Sequence, residues 1–177
     1  MATIINGDSG GTAVTTTTQK VLQVVSVSKS DTYTSSGTTF ADITGLAASI
    51  TPSATTSKIM VIIDVGYSFG SVNNASFNLR ALRGSTVIAA GDAAGSRDLG
   101  FFGHTTATAF YDIYHNVLRT GVSHLDSPSS TSSLTYKVQG VISNGSNTFY
   151  INRSVTDTDS DRFVRSSSTI TLMEIGA

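Results

Sequence analysis

The sequence predicts an all-β protein, an antiparallel, jelly-roll-like β-sandwich of about nine or ten short strands with an extended N-terminal arm. Ser and Thr make up close to a third of the chain, whereas Glu occurs once. Thr and Val favour a pleated, half-buried surface, and Ser is neutral at best in helices. Short apolar segments recur between clusters of turn residues, which is the pattern of a sandwich.

The composition excludes several classes of protein. Hydrophobic residues are 39% and charged residues 13%, which is too apolar for a disordered chain. The formal net charge is -1, and the scattered Lys and Arg form no basic stripe for nucleic acid. Cysteine is absent, so the chain has neither disulfides nor thiolate metal sites. We expect no membrane segment and no signal peptide, hence synthesis in the cytoplasm.

Two regions are distinguished by composition. Residues 1–19 contain three glycines and the run Thr15-Thr16-Thr17-Thr18, with little to bury, which predicts an extended arm. Residues 20–177 form the predicted sandwich. Its strands are expected at Lys20–Ser28, Thr39–Ile43, Ala48–Thr51, Lys58–Phe69, Phe77–Leu82, Thr86–Ala90, within Ala107–Leu125, and at Leu134–Ile142, Thr148–Asn152 and Ser168–Ile175.

The Lys58–Phe69 segment, KIMVIIDVGYSF, has apolar residues on both faces, which indicates a central strand buried between two layers. Two turns predict hairpins. Arg83-Gly84-Ser85 joins Phe77–Leu82 to the next strand, and Asn144-Gly145 tolerates the positive φ that a tight turn requires.

Near the start, Gly7-Asp8-Ser9-Gly10-Gly11 matches the GDSGG pentapeptide around the nucleophile of chymotrypsin-like proteases. A serine nucleophile needs a His base and an Asp that orients it, and in that family both precede the Ser. Only eight residues precede Ser9, and every histidine follows it. The motif therefore indicates a glycine-rich arm and no protease.

Other candidate chemistry is sparse. Asp157-Thr158-Asp159-Ser160-Asp161 resembles the start of a calcium loop, but Arg162 and Ser168 stand where an EF-hand needs Gly and Glu. We expect a solvated turn there, with no metal and no cofactor. A polysaccharide depolymerase would need paired carboxylates. Its candidates would be Asp112, Asp126 and the Asp157 cluster, but we expect no enzyme.

The chain from Lys20 onward resembles a domain common in tail-fibre and other virion structural proteins of tailed bacteriophages, many from marine hosts. The resemblance rests on several motifs in order: KVLQVV, TFADITGLAASITPSATTSKIMVIIDV, LRALRGSTVIAAGDAAGSR, SHLDSPSSTSSLTYKVQ, YINRS and STITLMEI. A second, pattern-level similarity is to C1q/TNF-like jelly rolls, carried by Leu82-Arg83-Gly84-Ser85 and the closing apolar strand, although the Phe-Ser-Gly pattern of C1q is missing.

These resemblances imply a non-enzymatic virion protein that forms homotrimers. The arm, with Ile4, Ile5 and Val14, would dock onto a neighbouring tail or capsid protein. Three loops would contact the host surface, including its glycans, through Arg97, Asp98, Ser129, Ser130, Asp157, Asp159 and Asp161. The aromatic segment would pack in the core or around the trimer axis, through Phe110, Tyr111, Tyr114 and His115. The alternative is a capsid decoration or head-fibre protein that stabilises the shell.

Overall fold

The structure, a computed structural model, describes residues 19–70, 75–105 and 115–176. These residues contain eleven β-strands in two antiparallel sheets, and no helix among them is long and apolar enough to cross a membrane. The strands are β1 (Lys20–Lys29), β2 (Tyr33–Ser35), β3 (Ala41–Ile50), β4 (Lys58–Gly70), β5 (Ser76–Arg83), β6 (Thr86–Ile88), β7 (Phe102–Thr105), β8 (Leu118–Asp126), β9 (Leu134–Ile142), β10 (Thr148–Ile151) and β11 (Ser168–Gly176).

The first sheet is organised around β4. β8 pairs along one edge of β4, while β11 and β10 follow one another along the other edge. β1 flanks β11, and β2 flanks β10. In the second sheet, β9 lies between β3 and β5, and both β6 and β7 pair with β5. The predicted antiparallel β-sandwich is therefore confirmed.

The core lies between the two sheets and follows the period-two alternation of strands. Ile59, Val61 and Ile63 of β4 are at most 2% exposed and face Phe77 and Leu79 of β5 across the core. The burial pattern of β5 alternates in the same way, with Phe77 and Leu79 buried and Asn78 and Arg80 on the opposite face.

The prediction of a hairpin at Asn144-Gly145 is wrong, because the strands on either side of this turn belong to different sheets. β9 pairs with β3 and β5, whereas β10 pairs with β4 and β2. The five residues 143–147 carry the chain from one layer to the other, and Gly145 has no positive φ. The hairpin at Gly84 is confirmed, with Arg83 paired to Thr86 and Gly84 at φ 58°.

The two strands expected at residues 39–43 and 48–51 form one strand, β3. A register irregularity between Asp42 and Ala47 accommodates Gly45, whose φ is +83°. Gly45 packs against the aliphatic stem of Lys29, which lies buried across from it. The sequence did not predict β2 or β7, because strands of three and four residues are too short to show a period.

One buried asparagine connects several strands of the first sheet at the points where they end or begin. Asn152 is fully buried, has φ 64°, and follows β10 directly. Its Nδ2 donates to the carbonyls of Lys29 (2.8 Å) and Asp31 (2.9 Å), between β1 and β2. Its Oδ1 accepts from Ser168 Oγ (2.6 Å), and its backbone N–H donates to Gly66 O (2.9 Å). This one residue therefore connects the turn from β1 to β2, the end of β10 and the start of β11.

A second cluster connects the two sheets. Asp126, at the end of β8, accepts from Arg83 Nη1 at 2.6 and 2.5 Å and from Tyr136 Oη at 2.7 Å. Arg83 and Tyr136 belong to the second sheet, and Tyr136 is fully buried. Burial, and next the Asp126 carboxylate, raise the pKa of Tyr136 well above its ordinary value. We call these three residues the inter-sheet clamp.

The single glutamate closes the loop between β3 and β4. Glu174 is 1% exposed and accepts from the backbone N–H and the hydroxyl of Ser53 at 2.7 and 2.6 Å, and from Gln23 Nε2 at 2.6 Å. Burial raises the pKa of this carboxyl, but the hydrogen bonds outweigh burial and lower the pKa from 4.5 to about 2.

This shift predicts a dependence of stability on pH. Because the folded pKa of Glu174 lies below the unfolded one, its contribution is complete above pH 4.5 and is lost as the pH falls towards about 2. In urea unfolding at a series of pH values, Glu174→Gln should therefore differ most from the wild type above pH 4.5 and least near pH 2. A difference that stays constant across this window would contradict the assignment.

Candidate functional site

The outer face of the first sheet carries a continuous apolar row. The register places Val24 (β1) beside Met173 (β11), Met173 beside Met60 (β4), and Met60 beside Leu125 (β8). Val24 is 55% exposed and Leu125 41% exposed, and the methionines between them are half-buried. We call these four residues the apolar stripe. It crosses the whole sheet from one edge strand to the other.

More apolar side chains extend the stripe. Val21, which pairs with Ile175 at the start of β1, is 55% exposed, and Ile62 of β4 is 36% exposed. The prediction that β4 is buried on both faces is therefore wrong for the first part of its outer face, where Met60 and Ile62 are not buried. Further along the same face Ser68 is buried, and its Oγ donates to Arg153 O in the segment that follows β10. A contiguous apolar patch on a surface usually marks an interaction site.

The outer face of the second sheet is polar by comparison. Gln139 accepts from Arg80 Nε (2.8 Å) and donates to Asp42 (2.6 Å), and Lys137 donates to Asp42 (2.8 Å). The Arg80 guanidinium also lies 4.0 Å from the ring centroid of Phe40. These side chains satisfy one another's hydrogen-bonding groups on a surface that is open to water. Among the described strands, the row of exposed apolar side chains that crosses a whole sheet lies on the outer face of the first sheet.

A cleft of about 530 Å³ lies beside β7, on the outer side of the second sheet. β5, β7 and the loop before β7 form its walls. We call it the β7 cleft; its lining comprises Ser76, Asn78, Ser96, Arg97, Asp98, Gly100, Phe101, Phe102, Gly103, Thr105 and Ser143. The predicted recognition residues Arg97 and Asp98 therefore share one concave site.

Two glycines let the loop approach β5 closely. A Cβ on Gly100 would lie 2.3 Å from Leu79 O, and a Cβ on Gly103 would lie 2.9 Å from Asn78 Oδ1. Asn78 Nδ2 donates to Asp98 Oδ2 (2.8 Å), which ties the loop to the strand. Asn78 was not predicted as a site residue, because its place in an alternating strand indicates only an outward polar residue.

The acidic loop between β10 and β11 is held by arginines. Asp157 accepts from Arg165 Nη2 at 2.5 Å and lies 3.4 Å from Arg153 Nη1. Asp159 and Asp161 are exposed. No group of three or more His, Asp or Glu able to hold a metal occurs in the described ranges. The arginine contacts explain the acidic run as a structured surface loop.

The three predicted recognition loops do not meet. Ser129 and Ser130 lie between β8 and β9, at the end of the sandwich where Lys20 pairs with Gly176. Residues 91–98 flank the second sheet, and residues 156–161 flank the first. The loop of Ser129 and Ser130 therefore shares an end of the molecule with the point where residues 1–18 join β1.

Several predicted residues lie outside the described ranges: Ile4, Ile5, Val14, Phe110, Tyr111 and Tyr114, and with them the depolymerase candidate Asp112. His115 is exposed, with its ring centroid 5.6 Å from that of Phe163 in the acidic loop. Asp126, the other depolymerase candidate, belongs to the inter-sheet clamp, where its carboxylate already binds two partners.

The sequence shows no metal-binding spacing among His104, His115 and His124, which favours surface or interface positions for histidines on strands. His104 instead lies half-buried in an aromatic cluster, with its ring centroid 4.9 Å from that of Phe69 and its Nδ1 3.1 Å from Tyr67 Oη. Burial lowers the pKa of His104, which favours the neutral ring. Its position on β7 gives it a packing role beside the β7 cleft.

No family model and no curated protein matches the chain. Among solved structures, it is similar to the crystal structure of the infectious bursal disease virus VP2 subviral particle, with TM-score 0.43 and 10% identity over 98% of this chain and 45% of that chain. A structure of the Gx strain of that virus gives TM-score 0.36 and 11% identity, over 97% and 44%. The crystal structure of its T13 viral particle gives 0.37 and 13%, over 97% and 41%. The chain spans less than half the length of these proteins.

Proposed function

We propose that this protein is a structural component of a tailed-phage virion, an appendage that assembles as a homotrimer and presents its sandwich outward to the host surface. The observation that supports assembly most directly is the apolar stripe. Four side chains in register form it, and it lies on one outer face while the opposite face is polar. The resemblance of the sequence to phage virion domains supports a location in a tailed-phage virion.

The stripe suits packing between copies of the chain. Val24 and Leu125, at its two ends, are exposed. Burying their side chains between copies would favour association by roughly 25 cal/mol per Å² of apolar surface removed from water. On one side of the stripe the neighbouring residues of the same face, Ser26, Thr171 and Ser123, are small and uncharged, so close approach there costs little desolvation. On the other side Lys58 lies beside Met60, and its ammonium must stay in water or find a partner at the interface. A closed ring of copies would also hide sheet edges from further association.

In this proposal the position of the arm sets the orientation of the appendage. Residues 1–18 join β1 at the Lys20 end, which in this proposal faces the particle. The opposite end, with Gly70 and the 143–147 loop, then points away from it. The β7 cleft opens toward that outer half, since Ser76, Thr105 and Ser143 lie there. The loop of Ser129 and Ser130 becomes an inner surface in this arrangement.

The alternative is a capsid decoration or head-fibre protein. The same stripe and arm would serve there, because bridging capsomers also needs a protein interface and an anchor. Antibody-gold labelling of intact particles separates the two. Gold at the tail supports the appendage, gold over the head supports decoration, and unlabelled particles would reject a virion role. Particles assembled with protein lacking residues 1–19 test the arm, since retained incorporation would contradict its anchoring role.

We predict that Val24→Lys and Leu125→Lys each lower the trimer association constant by about tenfold or more per interface, because each places a charge in the buried contact. Both residues are exposed in the monomer, so the fold should tolerate the changes. Thr86→Lys, on an exposed position of the second sheet, is the matched control. Analytical ultracentrifugation over a concentration series measures the effect. Trimers unaffected by either stripe variant, or a wild type that stays monomeric, would reject the interface.

A further inference from the structure

We propose that the β7 cleft binds an acidic saccharide, with a uronate carboxylate on Arg97 and sugar hydroxyls on the Asn78–Asp98 pair. This inference deepens the proposed contact with the host surface and rests on it. The volume of about 530 Å³ falls within the range of small-ligand sites and suits one or two sugar rings.

Arg97 supplies the anion-binding group. Its Nη1 donates to Ala94 O at 3.2 Å, within its own loop, and no carboxylate in the described part of the chain lies within ion-pair distance of it. A guanidinium offers five N–H donors in a planar fork that matches a carboxylate. Most of those donors remain for a ligand, because the neighbouring Asp98 is bonded to Asn78 instead.

The remaining lining suits hydroxyl groups. The Asn78–Asp98 hydrogen bond leaves Asp98 Oδ1 as an acceptor at the cleft. Ser143 Oγ accepts from the Ser76 N–H (2.8 Å), so its own proton remains to be donated. Thr105 Oγ1 lies 3.1 Å from Ser76 Oγ and extends the row. Closely spaced donors and acceptors of this kind match the adjacent hydroxyls of a sugar.

One phenylalanine adds apolar surface to this polar lining. Phe101 lines the cleft and is half-buried, whereas the ring of Phe102 lies on the core-facing side of β7, 4.9 Å between centroids from Tyr67. The C–H face of a sugar ring can pack on the open part of Phe101 while its hydroxyls reach Asn78 and Asp98. A cleft with this mixture fits a saccharide better than a purely apolar ligand or a bare anion.

The test is a binding titration of the full chain by isothermal calorimetry. The probes are short oligogalacturonates and alginate oligomannuronates, each paired with its carboxyl-reduced counterpart. We expect the uronates to bind more tightly than the reduced oligomers. Arg97→Ala should weaken uronate binding by about tenfold or more and leave the reduced oligomers unaffected. Asp98→Asn should weaken the binding of both the uronates and the reduced oligomers. Arg162→Ala, which removes an exposed arginine from the acidic loop, is the charge-matched control.

The outcomes separate this inference from the proposed function. Uronate binding that is lost in Arg97→Ala and kept in Arg162→Ala supports the cleft. Equal affinity for reduced oligomers, equal losses in the two arginine variants, or no binding of either uronate would overturn it. None of these results bears on trimer formation or on gold labelling, which test the virion role by themselves.

Discussion

Asp126→Ala should destabilise the sandwich by about 3 kcal/mol, because it leaves two partners of a buried carboxylate without an acceptor. Tyr136 is fully buried and its hydroxyl would lose its acceptor outright. The Arg83 side chain is 24% exposed, so water can replace part of its lost interaction, which keeps the cost below that of a wholly buried pair. Urea unfolding at neutral pH measures the change in the free energy of unfolding.

Two variants sharpen this measurement. Asp126→Asn keeps an oxygen for the Tyr136 hydroxyl and loses only the charge, so it should cost less than Asp126→Ala. Asp64→Ala breaks an exposed ion pair with Arg119 in the same sheet, whose side chains are both close to half exposed. That pair should contribute at most about 1 kcal/mol. Equal losses for Asp126→Ala and Asp64→Ala would show that the inter-sheet clamp adds nothing beyond a surface pair.

Asn152→Ala should have the largest effect, about 3–5 kcal/mol, because three side-chain hydrogen bonds are lost inside the protein. The carbonyls of Lys29 and Asp31 lose their donor, and Ser168 loses its acceptor. Alanine is also disfavoured at φ 64°, a conformation that asparagine tolerates better. Thermal and urea unfolding both report the loss.

Companion variants separate the causes. Asn152→Gly accepts the positive φ and still loses the hydrogen bonds, so it should be less damaging than Asn152→Ala by about 1 kcal/mol. Asn152→Asp keeps an acceptor for Ser168 but cannot donate to the two carbonyls while ionised. Asn144→Ala, in an exposed loop with one bond to the Ser146 N–H, is the control and should cost about 1 kcal/mol at most. An Asn152→Ala protein as stable as this control would contradict the junction role.

The sequence predicted the fold class and most long strands, because composition and alternation reflect the half-buried surface of a sheet. β9 begins and ends at its predicted residues, Leu134 and Ile142. Sheet membership escaped prediction, as the crossing at Asn144-Gly145 shows, since turn chemistry is local and pairing is not. The apolar outer face of β4 also escaped it, because a periodic pattern cannot distinguish a face covered by its own chain from one left open.

Only part of the candidate site could be predicted, because some of its residues stand out in the local sequence and others are brought there by strand pairing. Arg97 and Asp98 stand out as charged residues in a glycine-rich loop, and the structure places both at the β7 cleft. Ser143 and Asn78 come from a distant loop and a strand face, and only the pairing of β5 with β7 and β9 brings them to the same site. Local sequence contains no signal for such a convergence.

The acidic loop between β10 and β11 is closed at its base, where the Ser166 N–H donates to Asn152 O at 3.0 Å. Its two ends therefore meet at fixed positions beside β4, whatever the intervening residues do. Lengthening or replacing the exposed residues 158–162 would therefore leave the registers of β10 and β11 unchanged. The first sheet thus offers an insertion point at which a peptide tag or a foreign recognition sequence could be displayed.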